Sequence, residues 1–330
     1  MKLIDVSIII VSYNTKKLTH ECVKSILGSK TKFNYEIIVV DNNSADGTVK
    51  RLNKDFPQIE VIASSVNLGF SKGNNLGIAS ASGQYVLLLN SDTILFADSL
   101  DSLLSAAIAK KYFITGPVLL NKDLSIQRSW FNFPSAIKIF LRLTDIYLLI
   151  YKFSNSRLLR IFSPSKKPAF MISEIREDQE MDYLSFACIL IKRNVIDEIG
   201  ILDEGLFFYQ EDCEYGLRAK KNNYKIMYTV SSKIIHLGGS SSGNFSWMAF
   251  ENDILGLLHV YKKHYPYTQF KKIKRIICVA LKYRENLSYF GFFKSVKKSG
   301  LYVKTDSNLL KNEKASYKYK ELLKIVKAYN

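Results

Sequence analysis

Along the first third of the chain, apolar runs alternate with polar stretches at two different periods. Val6 to Val11, Tyr35 to Val40, Ile59 to Ala63 and Tyr85 to Leu89 are largely apolar and bounded by polar or turn residues, the pattern of strands covered on both faces. Between them, Leu18, Cys22 and Ile26, then Val49 and Leu52, then Leu76 and Ala79 recur at helical spacing. Such a β-α-β-α series predicts a largely parallel sheet with right-handed crossovers, and its ligands bind beyond the carboxyl ends of the strands.

The residues at those ends are polar in a repeated way. Ser12, Tyr13 and Asn14 follow the first run; Asp41, Asn42, Asn43 and Ser44 the second; Asn67 to Gly69 come after the third; Asn90, Ser91 and Asp92 follow the fourth. Turn and capping needs alone account for any one of these groups. Four in succession, two of them containing an isolated acid, point to a site.

Beyond Tyr112 the periodicity loosens. Ile137 to Phe162 is apolar and aromatic but interrupted by Lys138, Arg142, Asp145, Lys152, Arg157 and Arg160, so it lacks the roughly 20 uncharged residues of a bilayer crossing and reads as an amphipathic or membrane-surface insertion. A strand-like run, Asp182 to Ile191, precedes Phe207 to Arg218, where a helix is expected to begin near Glu211 and Asp212, with Glu214 and Arg218 spaced i,i+4. Another strand, Lys225 to Val230, leads to His236-Leu237-Gly238-Gly239. In the tail, Ile273, Ile276, Ile277, Ala280 and Leu281 share a helical face surrounded by Lys and Arg, a pattern that suits an interfacial helix or a helix packed on its own domain.

Length and charge divide the chain. Its 330 residues, 47% of them apolar, suffice for one catalytic domain, residues 1–260, and an appendage, residues 261–330. Of the net charge of +17, +14 lies from Tyr261 onward, where eighteen Lys or Arg face four Asp or Glu. The basic character therefore belongs to the appendage, for which an anionic membrane surface is the expected partner and nucleic acid is not. Oligomeric state has no signature in the sequence. The four cysteines (Cys22, Cys188, Cys213, Cys278) form no C-x-x-C pair or zinc spacing, which suits reduced thiols. The chain enters its first strand at once with no signal-peptide core, so a cytoplasmic location is expected.

Several enzyme classes lack their motifs here. No G-x-G-x-x-G turn follows an early strand, no G-x-x-x-x-G-K-[ST] is present, and the Gly-rich basic loop of a nucleotidyltransferase is missing after the first strand.

Six segments, in order, are Val6 to Asn14; Val39-Val40-Asp41-Asn42-Asn43-Ser44-Ala45-Asp46-Gly47-Thr48; Asn67-Leu68-Gly69-Phe70-Ser71-Lys72-Gly73-Asn74-Asn75; Leu87 to Asp92; Glu211-Asp212; and His236. Together they resemble the family-two inverting glycosyltransferases, and especially their bacterial rhamnosyltransferase-like branch, over roughly residues 4 to 240. Lys263-His264-Tyr265-Pro266 also looks like the end of such domains. The resemblance implies an α/β GT-A fold, a Rossmann-like and mostly parallel sheet, followed here by a basic helical extension. One departure stands out: the family's Asp-x-Asp is Asn90-Ser91-Asp92, leaving Asp92 as its single carboxylate.

The resemblance also implies roles. Asp92 and His236 would hold Mn²⁺ or Mg²⁺, ions that accept one or two protein ligands and complete their shell with phosphate oxygens and water. Gly238-Gly239-Ser240 would allow close phosphate approach. Ser12, Tyr13, Asn14, Asp41, Asn67, Gly69, Asn74, Asn90 and Ser91 would surround the nucleotide of the donor. Asp212 would be the general base, kept ionised by the helix N-terminus, with Glu211 orienting the site or touching the acceptor. Trp130, Phe131 and Phe133 have the chemistry to stack on a sugar or line an acceptor cleft, but an aromatic cluster is more often core, and Arg128 has the charge to contact phosphate; none of these is assigned to the site. The expected reaction moves a sugar from a nucleotide sugar, such as dTDP-rhamnose or a UDP-hexose, to a hydroxyl of a glycan or lipid-linked acceptor. The basic tail and the expected cytoplasmic location set this peripherally on the inner face of the plasma membrane, and the resemblance adds the setting of bacterial surface polysaccharide synthesis. The alternative is a non-catalytic glycan-binding or membrane-adaptor protein on the same fold.

Overall fold

The computed structural model describes residues 3–144, 175–238, 247–289 and 312–329, which fall into two compact units: Met1–Phe133 with Ser173–Ser241, and Pro134–Ile172 with Ser242–Asn330. In the first unit, β1 (Val6–Ser12), β2 (Tyr35–Asp41), β3 (Glu60–Ala63) and β4 (Tyr85–Asn90) are parallel neighbours in the order β3-β2-β1-β4. The helices α1 (Lys16–Leu27), α2 (Thr48–Asp55) and α3 (Gly69–Ser80) connect them, as the alternating periods predict.

These strands read as continuous apolar runs because both faces are covered. Ile8, Ile10, Leu87 and Leu89 join one core cluster, and Ile9, Val86 and Leu88 the other. Each such residue contributes about 1.5–3 kcal/mol by leaving water.

After β5 (Thr93–Leu95) and α4 (Ser99–Ala109) come β6 (Ile114–Leu120), β7 (Ile126–Gln127) and β8 (Trp130–Phe131). Then follow β9 (Gln179–Met181), β10 (Tyr183–Leu184), β11 (Cys188–Lys192), α6 (Arg193–Ile199), α7 (Glu211–Lys221) and β12 (Ile226–His236). The sheet continues β4-β11-β6-β12-β5. β11 runs antiparallel to both β4 and β6, and β12 is parallel to β6; β4, β6 and β12 therefore end at one edge.

Two strand readings change. The run Asp182 to Ile191 divides: β10 pairs with β8 in a small second sheet and β11 enters the main one. The Lys225 to Val230 strand continues to His236 across an irregularity between Tyr228 and Lys233. Asp178 stabilises that irregularity, accepting bonds from Val230 N (2.9 Å), Thr229 Oγ1 (3.0 Å), Tyr112 OH (3.1 Å) and Lys110 Nζ (2.7 Å).

The second unit contains α5 (Ala136–Thr144), α8 (Trp247–His264), α9 (Tyr267–Tyr289) and α10 (Asn312–Ala328). The boundary expected at residue 260 falls inside α8. Ile273, Ile277, Ala280 and Leu281 are buried with Ile139, Leu257, Leu258, Leu322 and Val326. Of the two roles open to that apolar face, helix packing takes it. Buried Arg284 crosses this core, donating from Nε to Leu143 O and from Nη1 to Tyr319 OH (3.1 Å). Of the expected insertion, residues 137–144 belong to α5 and the rest lies outside the described residues, as do Gly239 and Ser240. Among the described residues no helix is long and apolar enough to cross a membrane.

Candidate active site

Strand register collects the polar strand ends at one edge of the sheet. Ser12 lies opposite Asp41, Asp41 opposite Ala63, and Val11 opposite Asn90. Asn14 and Asn43 turn the chain there with positive φ (53° and 65°), a conformation Asn adopts more readily than most residues. Asn14 ties the two loops together: its N–H donates to Ser44 Oγ and its Oδ1 accepts from Ala45 N, both at 2.8 Å.

Asp41 is 2% exposed. Its Oδ2 accepts from Ser44 N (2.8 Å), whereas its Oδ1 is buried with no hydrogen-bond partner among the described residues. An ionised oxygen in that condition is costly unless a donor arrives from outside the protein. Beneath the loop, the Ser12 hydroxyl bonds those of Thr15 (3.0 Å) and Thr19 (2.8 Å), and Thr15 reaches Ser91 Oγ (3.2 Å). Ser12 and Ser91 are therefore buried in a hydroxyl cluster, while Tyr13 is exposed.

Four polar side chains meet where β4 and β12 end. His236 pairs with Thr93 across β12 and β5, and its Nε2 lies 3.2 Å from Asp92 Oδ1 and 3.4 Å from Asn90 Nδ2. Its Nδ1 lies 2.6 Å from Oε1 of Gln127, a residue that no motif marked. Leu237 N donates to Asp92 O (2.9 Å) and holds the strand end beside the acid.

This pair fits a divalent ion. Two adjacent ligands of an octahedral ion bonded at about 2.1 Å stand about 3.0 Å apart, close to the observed 3.2 Å. Among the described residues no group of three or more His, Cys, Asp or Glu forms a fuller cage. Phosphate and water would complete the shell.

A third group surrounds the start of α3. Asn67 Oδ1 accepts from Gly69 N (3.0 Å), Asn42 Nδ2 donates to Gly69 O (2.8 Å) and Asn74 Nδ2 donates to Phe70 O (2.9 Å). Gly69 has φ +76°, and a Cβ there would lie 2.4 Å from Phe207 O. Phe70 N donates to that same oxygen at 2.7 Å. Further along, Asn75 grips Leu202 by both backbone groups (2.9 and 3.0 Å).

The segment so held, residues 202–207, leads into α7 through Tyr209 and Gln210, both at positive φ (74° and 72°). Two consecutive such residues, neither Gly nor Asn, are strained by about 1–3 kcal/mol each. They set Glu211, Asp212 and Glu214 in the first turn of α7, where the helix dipole favours negative charge. Glu211 is buried; Asp212 is half-buried, with Oδ1 accepting from Cys213 N (2.7 Å).

The aromatic cluster is half-buried and its rings pack on neighbouring tyrosines. Trp130 packs on Tyr228, and Phe131 and Phe133 stack on Tyr183. Arg128 donates to Trp130 O and covers the Phe131 ring. All four cysteines are free, and burial pushes the Cys22 thiol up to about 12; none is poised as a nucleophile.

Comparison with known proteins agrees with the architecture. The glycosyl transferase family 2 model matches residues 7–200. The N-acetylglucosaminyl-diphospho-decaprenol L-rhamnosyltransferase of Mycobacterium tuberculosis is 24% identical over 225 residues, 63% of this chain and 68% of that protein. The low-salt glycan biosynthesis hexosyltransferase Agl10 of Haloferax volcanii is 25% identical over 283 residues, covering 83% and 82%. Among solved structures, GalNAc-T7 with UDP, GalNAc and Mn²⁺ superimposes with a TM-score of 0.56 at 14% identity, over 99% of this chain and 58% of that one. The fold is thus GT-A, a mixed, mostly parallel sheet flanked by helices, with a helical C-terminal part. With that architecture and more than half its length matched by the family model, the chain belongs to glycosyl transferase family 2 and is a glycosyltransferase.

Proposed function

We propose that the chain transfers a hexose or deoxyhexose, with inversion, from a nucleoside diphosphate to a hydroxyl of a glycan or lipid-linked acceptor. The observation that supports this most is the Asp92–His236 pair at the edge where β1, β2 and β4 end. A retired fold used as an adaptor has no reason to keep these groups together with Asp212.

In this reading Asp41 Oδ1 accepts a hydrogen bond from the nucleotide's base or ribose, which relieves its buried, unpartnered state. Asn14, Asn67, Gly69 and Asn74 shape the walls, with Tyr13 at the rim. Ser12 and Ser91 act one layer below, through Thr15. Asp92 and His236 would hold a divalent cation, which would supply neutralisation of charge on the leaving pyrophosphate. The Asp212 carboxylate takes the proton from the acceptor hydroxyl as that oxygen bonds to the anomeric carbon. The bond from that carbon to the phosphate oxygen breaks on the opposite face, and a nucleoside diphosphate leaves. Glu211, buried beside it, positions this first turn.

The polyprenol-linked acceptor named for the mycobacterial relative supports a membrane-surface acceptor here as well. So do the exposed cations Lys271, Lys272, Arg275 and Lys282 on α9, each worth about 1 kcal/mol near an anionic surface. In this reading the reaction occurs at the inner face of the plasma membrane, in bacterial surface polysaccharide synthesis. Calorimetric titration with a panel of nucleoside diphosphates and nucleotide sugars, with Mn²⁺ or Mg²⁺ and then with EDTA, tests the reading. One nucleotide is expected to bind in a metal-dependent way. Failure of every nucleotide with folded protein overturns the proposal.

A further inference from the structure

The hairpin between β6 and β7 contains a run of side-chain hydrogen bonds whose direction is fixed at one end. Asp123 Oδ1 accepts from Ser125 N (3.0 Å) and from Ser125 Oγ (2.5 Å). A carboxylate only accepts, so the Ser125 proton points to Asp123 and the oxygen of Ser125 is left to accept. Asn121 Nδ2 donates to it at 2.9 Å, which turns Asn121 Oδ1 toward Gln127, whose Nε2 donates at 3.0 Å. The same Nε2 lies 3.3 Å from His236 O, so two acceptors agree on the orientation of the Gln127 amide. Gln127 Oε1 is then an acceptor, 2.6 Å from His236 Nδ1. That nitrogen therefore bears a proton, and in a neutral ring it is the only one that does.

We infer that the relay Asp123–Ser125–Asn121–Gln127 makes Gln127 a positioning residue, which locks His236 in the tautomer protonated at Nδ1 and leaves the Nε2 lone pair toward Asp92.

Other contacts bear on this tautomer. The amide of Asn90 lies 3.4 Å from Nε2 and is able to donate to its lone pair. Asp92 Oδ1, 3.2 Å from Nε2, draws a proton to that nitrogen when no cation is present, so it opposes the Gln127 lock until a cation lies between the two ligands. Gly238, at φ +51°, keeps the approach open, because a Cβ there would crowd Gln127 Nε2 at 3.1 Å. The hairpin and β12 belong to one unit, and β6 lies beside β12 in the sheet. Partners beyond the ligands commonly fix the ring and tautomer of a metal-binding histidine. Here that partner is a neutral amide, itself oriented by a turn.

The value of the tautomer to catalysis rests on the metal reading given above; the tautomer itself does not. Long-range ¹H–¹⁵N spectra of the full chain in EDTA, at a pH where the imidazoles are neutral, report the protonated nitrogen of each of the four histidines. The His236→Asn variant assigns the signal. His236 is expected to be protonated at Nδ1, and to remain so in Gln127→Glu, which retains an acceptor. In Gln127→Met, similar in size but without the acceptor, a mixture including Nε2–H is expected. Mn²⁺ affinity in the presence of a nucleoside diphosphate should then fall about 10- to 100-fold. An Nε2–H tautomer in the unaltered chain, or an unchanged tautomer in Gln127→Met, overturns the inference. If the tautomer behaves as expected while neither the unaltered chain nor Asp92→Ala shows Mn²⁺ binding, the relay stands and the metal reading falls.

Discussion

Asp212 and Asp178 show how differently two carboxylates of one domain are used. Asp212 lies in the first turn of α7, reached through two residues of strained backbone, with one oxygen bonded to the next amide. The Asp212→Asn variant should bind nucleotide unchanged and lose about 10²- to 10⁴-fold in turnover, the range of general base catalysis. Retained turnover in a radiolabelled-sugar transfer assay would remove Asp212 from that role. Asp178 is structural. Burial pushes its carboxyl up, but the Lys110 ammonium, the Val230 amide, the Thr229 hydroxyl and the Tyr112 hydroxyl outweigh this and hold it below the usual carboxylate range. With the native value depressed, the unfolded chain binds the proton more readily. Asp178 therefore stabilises fully above its unfolded pKa of about 3.9, and that stability is lost as pH falls through the native value. Asp178→Asn should flatten the acid limb of a stability curve measured by urea titration between about pH 5 and pH 2; an unchanged limb would assign acid sensitivity to other carboxylates.

At the scale of elements, α3 joins loops from distant parts of the sequence. Its first residues meet Asn42 on one side and Phe207 on the other, and Asn75 holds Leu202. The resemblance named Gly69 as a nucleotide neighbour; its geometry adds a backbone reason. Gly69→Ala would require an L residue at φ +76° and displace Phe207 O. A loss of about 1–3 kcal/mol in urea unfolding is expected, with faster hydrogen exchange through residues 202–210. Exchange unchanged in that segment would mean the turn does not hold it. The strand and helix periods were legible in the first four strands because their cores are local and two-faced. The division of the Asp182 to Ile191 run was not, since β10 and β11 are both apolar and only their partners assign them to different sheets.

For the whole molecule, composition locates the basic charge in the C-terminal part and leaves two roles open for its apolar stripe. That stripe is buried against α5, α8 and α10. Truncation after Tyr267 would therefore expose Ile254, Leu257 and Leu258 and unfold the helical unit as well as remove charge. A sharper test replaces Lys271, Lys272, Arg275 and Lys282, exposed on α9, with Glu. Sedimentation with anionic liposomes should decrease sharply while thermal stability holds, because surface changes cost within about 0.5 kcal/mol each. Undiminished sedimentation would end the case for this face as a membrane surface.

The sequence by itself determined the alternating architecture, the strand ends that bear polar groups, and the family, because each depends on patterns within a dozen residues or on motifs in a fixed order. It also singled out Asp92 and His236, 144 positions apart, through the resemblance alone. Only the tertiary structure decided that these two lie 3.2 Å apart, that Ser12 and Ser91 are buried in one hydroxyl cluster, and that Gln127 Oε1 meets the histidine Nδ1. Hydrogen-bond partnership between side chains on different strands has no period and no spacing. It exists only once β6 and β12 lie side by side and a turn has aimed an amide.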